Sequence, residues 1–201
     1  MFQKAIIIIF CIFSNLSLSS ISYGKQIEQS TQELYCAPEL RQVFSLLREM
    51  PDVNNLIDKI LEGGPLYIEM NQHLSKKFEG YWSASDRTIY ITKSRSPAAL
   101  LTTILFEMHN AANDTQLQHI DSLAYQGKTN RKQYVRAVEY WEYKNAKATT
   151  AILNRGIECG IFPENSYWYI SDDFEEHFRI QKSAGHSSHI GEMYDDVIRY
   201  G

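Results

Sequence analysis

Cysteine and proline are scarce, with three Cys and five Pro in 201 residues. Three thiols cannot build the multi-bridge framework of a small stapled module, so a packed core must hold the fold. There is no excess of positive charge: 20 Lys and Arg stand against 24 Asp and Glu, a formal charge of −4. That balance removes the electrostatic reason to bind nucleic acid or an anionic membrane surface. No apolar run reaches the roughly twenty residues of a membrane-spanning helix, since the run at 5–13 becomes polar at Ser14. The chain also lacks a Gly-rich phosphate loop, a Gly-x-Ser-x-Gly turn and a Cys-x-x-Cys pair. It contains no internal repeat, low-complexity tract or linker that would mark a second domain.

What is present begins with an export pattern. Lys4 precedes the apolar run at 5–13, and small residues, Ser22 and Gly24, follow a Ser-rich stretch. A basic start, an apolar centre and small residues at −3 and −1 predict a signal peptide over 1–24, cut after Gly24. Cys11 lies inside the apolar run, which argues against lipid attachment. The expected mature chain, 25–201, is one domain of about −5 charge, periplasmic or secreted, with no stable membrane anchor. It keeps Cys36 and Cys159, a pair that an oxidising compartment permits to form a disulfide.

Residues 25–35 read as a polar leader. Apolar positions at helical spacing follow from Pro38 to Leu61, divided by Pro51 and stopped at Gly63-Gly64. Leu66, Ile68 and Met70 alternate as in a strand, and 80–82 with 88–92 predict a hairpin. Ser96-Pro97 signals a helix start, with the long helix reaching Ala112 or Tyr125. A second helix is expected from Asn130, with Gln133 three residues on, to about Arg155. Two more are expected over 172–183 and 188–199, split by Gly185. The fold class is α+β and mainly helical, with a small antiparallel sheet of about three strands against long helices.

Residues 80–112 read GYWSASDRTIYITKSRSPAALLTTILFEMHNAA. This hairpin, short loop and helix bearing Phe106-Glu107-Met108-His109-Asn110 resemble the minimal domain of zincin-like metallopeptidases, of the glutamate-ligand type. That resemblance implies a zincin-like core, and an acidic residue on the next helix where Glu139-Tyr140-Trp141-Glu142 stands. It covers about 80–155. The family's helix carries His-Glu-x-x-His, whose two imidazoles, one turn apart, hold zinc. Here those positions are Phe106, which has no lone pair, and Asn110, a poor zinc ligand. His109 lies about 100° around the helix from the position it would need.

No zinc site of the family's kind is therefore expected, and the first functional expectation is a non-catalytic, pseudoenzyme-like exported protein that binds an unknown protein partner. The alternative is an atypical hydrolase, of peptides or cell-envelope material, that uses Glu107 as general acid or base, with zinc in a rebuilt site. A secreted effector or immunity-type factor is the third reading. The helical wheel puts Glu107 on the face of Leu100 and Ile104, where it needs a partner; Arg87, Arg95, Arg131 and Arg136 qualify by type. Asn110, Glu139 and Glu142 are candidate groove residues, and Glu139 and Glu142 share a face at i, i+3. His177, His186 and His189 are weak metal candidates.

Overall fold

Period-2 alternation at Leu66, Ile68 and again at Ile89, Ile91 places these side chains on one buried sheet face. The computed structural model describes residues 33–71, 79–92 and 96–200. The expected signal peptide and Arg95 lie outside the described residues. The strands are β1 (Leu34–Cys36), β2 (Leu66–Asn71), β3 (Gly80–Ser83) and β4 (Thr88–Thr92). Their order is β1-β2-β4-β3. Among the described residues the sheet is four-stranded and mixed, not an antiparallel sheet of three: β1–β2 and β2–β4 pair parallel, and β3–β4 is the expected antiparallel hairpin. The extra strand falls where a polar leader was expected. It is three residues long and therefore shows no alternation; its pairing with Leu66, Tyr67 and Ile68 is what makes it a strand.

Among the described residues seven α-helices accompany the sheet: α1 (Arg41–Arg48), α2 (Pro51–Leu61), α3 (Pro97–Ala112), α4 (Asp114–Tyr125), α5 (Arg131–Glu158), α6 (Phe174–Ser183) and α7 (His186–Tyr200). Their ends follow the sequence signals. Pro51 starts α2, Ser96 caps α3 by accepting from the Ala99 N–H, and Asn130 with Gln133 forms a reciprocal capping box on α5. The α3–α4 junction at Asn113 resolves the open endpoint of the long helix at Ala112.

The helix α3 is apolar or buried on nearly every face from Leu101 to Ala111. A helix of that kind belongs in the middle of a domain. One side of it, with α1, α2 and the sheet, builds a core around Leu47, Ile68, Trp82, Ile89, Leu101 and Leu105. A second cluster joins α4, α5 and α7 through Leu117, Ile120, Tyr134, Val138 and Ile190. Among the described residues no helix is long and apolar enough to cross a membrane. The disulfide that the sequence permits is not formed: Cys36 and Cys159 are free thiols, Cys159 exposed at the end of α5.

The chain leaves α5 through a close approach. A Cβ on Gly156 would overlap the Phe162 ring, which packs directly over that backbone. Gly156→Ala is expected to lower stability by about 1–3 kcal/mol, the usual cost of forcing atoms into a filled site, read as a lower melting temperature. An unchanged melting temperature would show that Phe162 is free to move aside.

Candidate functional site

The buried face of α5 carries polar residues in the midst of apolar ones. Glu139, Glu142 and Asn145 recur at three-residue spacing, and all are buried together with Val135, Val138 and Ile152. The facing residues of α3 are Glu107 and Asn110, both fully buried. Gly185, with φ 86°, turns the chain between α6 and α7, so that His186 and Ser187 enter the first turn of α7 buried against α5.

Two helices, α5 and α7, thus bring Glu139, Glu142 and His186 together, with one ligand atom of each lying within 4.8 Å of the others. Glu139 is 0% exposed and His186 3%. Glu139 Oε1 accepts from the Ser187 hydroxyl at 2.6 Å and sits 3.2 Å from His186 Nδ1. The other ring nitrogen, Nε2, faces Glu142 Oε2 at 3.5 Å without forming a hydrogen bond. Among the described residues Glu139 Oε2 has no hydrogen-bond partner either. Burial works against charge on His186, yet the Glu142 and Glu139 carboxylates outweigh it and hold the imidazole above its ordinary range. Burial likewise pushes Glu142 up; the His186 charge pulls it back and Glu139 adds to the rise.

A cavity of about 40 Å³ adjoins this cluster, bordered by Glu142, His186, His177 and Gln181, with Phe106 and Trp168 closing one side. The volume suits an ion or one or two water molecules. Phe106, at a ligand position of the family motif, is stacked on Trp168 with centroids 4.5 Å apart. His177 lies beside Tyr143, and burial lowers its pKa, with Glu139 opposing and His186 assisting. His189 does not join His186 as a chelating pair. It points to Glu192 on its own helix, with Nδ1 3.4 Å from the carboxylate.

Glu107 is buried as the wheel predicts, but no arginine pairs with it among the described residues. Arg87 instead donates to the carbonyls of Ile60, Gly64 and Pro65, which end α2. Arg131 pairs with Asp195, and Arg136 with Glu175. The partner of Glu107 is Asn110, whose Nδ2 donates to Oε2 at 2.8 Å. Asn110 Oδ1 in turn accepts from Asn145 Nδ2 at 2.8 Å, Asn145 Oδ1 from Asn113 Nδ2 at 2.7 Å, and Asn113 Oδ1 from Lys59 Nζ at 3.3 Å. An ammonium can only donate, so it dictates the orientation of each amide down to the carboxyl. Burial nevertheless dominates and lifts Glu107 to about 8; the Asn110 amide and the Trp82 backbone N–H offset part of this, and Glu142 adds to it. Glu107, the sequence's catalytic candidate, does not border the cavity, whereas Glu142 and His186 do. His109 takes no part: it is buried and, by desolvation and the Lys59 charge, lowered to about 4.

Sequence reasoning named each of these acids and histidines, but not which histidine meets which acids. It missed Asn145 and Ser187, and only the helical spacing 139, 142, 145 offered a signal for the first. No family model, curated protein or solved structure matches the chain.

Proposed function

We propose that this chain is an exported hydrolase on a zincin-like scaffold, with its reactive centre at the junction of α3, α5 and α7. The observation that carries this is the convergence of Glu139, Glu142 and His186 in the interior, with Glu142 and His186 bordering one cavity. Burying a carboxyl without a compensating partner costs several kcal/mol, and well-packed apolar residues would serve a purely structural role as well or better. A protein that worked only through its surface would gain nothing from this group. The hydrolytic expectation is therefore preferred to the non-catalytic binder. Supporting the scaffold are the antiparallel edge strand β3 against α3, Glu107 in the motif position, and Glu139 on the following long helix.

Hydrolysis needs one group to take a proton from water and one to give a proton to the leaving group. Glu142 and His186 stand 3.5 Å apart at the cavity wall and supply that pair. Tyr169, 63% exposed, borders the cavity, which suits the stacking of a peptide or a cell-envelope polymer. Export, which rests on residues 1–24, brings the enzyme to such substrates.

Glu142→Gln keeps the shape and removes the proton-transfer group. Turnover of peptidoglycan fragments or of an unfolded protein substrate is expected to fall about 100-fold or more, with the melting temperature held. Equal turnover by both proteins, or none by the wild type on either substrate, would overturn the reading.

A further inference from the structure

We infer that Glu139, Glu142 and His186 together bind one divalent transition-metal ion, of which zinc is the type. The inference deepens the hydrolytic reading and rests on it for its chemistry: with the ion bound, Glu142 and His186 would serve as its ligands in place of a proton-transfer pair, and the ion is detected without any substrate.

The argument is one of leftover donors. Glu139 Oε1 is occupied twice, by the Ser187 hydroxyl and by His186 Nδ1. A carboxylate only accepts, so Nδ1 carries a proton, and a cation that displaces the proton of Nε2 meets the ring's other lone pair there. That nitrogen and Glu139 Oε2 are buried and lack hydrogen-bond partners among the described residues. Glu142 Oε2 lies 3.5 Å from Nε2. Ligand atoms on a tetrahedral zinc at about 2.0–2.1 Å are separated by about 3.3 Å, so the facing pair is already near its bound spacing. The Nδ1–carboxylate contact is the kind that orients a ligating imidazole.

The donor set chooses the metal. One imidazole and two carboxylates suit zinc and its neighbours, whereas calcium takes six to eight oxygens and magnesium near-octahedral oxygen ligands. Neither Phe106 nor Asn110, at the family's ligand positions, takes part. The adjoining cavity of about 40 Å³ leaves room for a further, non-protein ligand. Three protein ligands with an open position are the pattern of catalytic sites, and the cation would supply Lewis acidity there.

The test uses the full chain, stripped with a chelator and titrated with Zn²⁺ alone, then with Co²⁺ as a spectroscopic probe. One equivalent of zinc is expected by native mass spectrometry and calorimetry, with a raised melting temperature and visible cobalt absorption. Glu139→Gln and His186→Asn should each weaken binding about 100-fold or more, since even outer-shell changes cost 10–100-fold. His189→Gln, outside the cluster, should bind as the wild type does. No stoichiometric binding by the wild type, or binding undiminished in both ligand variants, overturns the inference. Zinc at one equivalent with no turnover would uphold the site and sink the hydrolytic reading. No stoichiometric zinc, with turnover retained after complete removal of metal, would do the reverse.

Discussion

Glu107→Gln is expected to flatten the alkaline side of the stability curve, and to do so by more than any other single substitution at the site. The carboxyl titrates near 4.5 when exposed and is lifted to about 8 in the fold, chiefly by burial. Its neutral form is the one the fold accepts. The contribution is fully present below 4.5 and is lost as pH rises through 8, because the unfolded chain alone ionises in that window. The size is on the order of 5 kcal/mol, at 1.36 kcal/mol for each pKa unit. That is comparable to the whole stability of many domains. Glutamine has the same shape and stays neutral, and its carbonyl can still accept from Asn110. Urea unfolding at pH 5, 7 and 9 should show the wild type weakening steeply while the variant holds. His109 provides an internal control of opposite sign. Lowered to about 4 from 6.5, it contributes above 6.5 and loses that contribution as pH falls through 4, equally in both proteins. Parallel curves for wild type and variant at alkaline pH would show that Glu107 is ionised in the fold.

The sequence was most legible where the signal was local. Ser96-Pro97 marked the start of α3, and Asn130 with Gln133 the neighbourhood of the start of α5, because a cap is satisfied by neighbours three positions away. The hairpin was equally readable. The strand β1 was not: its evidence is a partner about thirty positions away, and three residues hold no period. The site divides in the same way. That Glu107 is buried followed from the helical wheel, and that Glu139 and Glu142 share a face followed from their spacing. That His186 turns onto that face, while His189 does not, depends on how α7 lies across α5, and the Gly185 break gave no direction. The expected arginine partner failed for a physical reason. A guanidinium near Glu107 would have to be buried too, and every described candidate found exposed acids or carbonyl oxygens instead. Three asparagine amides, with no net charge to desolvate, occupy that space.

The amide chain carries the second large effect. Asn110→Ala removes the donor to Glu107 Oε2 and the acceptor for Asn145 Nδ2 in one step. Each orphaned buried group costs about 1–3 kcal/mol, so a loss of about 2–5 kcal/mol is expected, read by urea unfolding at pH 6. The cost should decline along the chain toward Lys59. Asn113 is half-buried and can turn to water, and Lys59 is exposed, so Lys59→Met should cost under about 1 kcal/mol. A double-mutant cycle of Asn110→Ala with Asn145→Ala should show a coupling of about 0.5–3 kcal/mol, since the second change removes a group the first has already orphaned. Lys59 matters less for energy than for direction. It makes each amide present nitrogen inward, which leaves the carboxyl at the end facing a donor. Asn110→Asp separates the two roles, because aspartate still accepts from Asn145 but brings Glu107 a second acid in place of a donor. It should therefore be more destabilising than alanine at pH 8 and closer to alanine at pH 5, where an aspartic acid proton can take the donor's place. Equal costs for aspartate and alanine at both pH values would mean that Glu107 does not depend on the amide it accepts from.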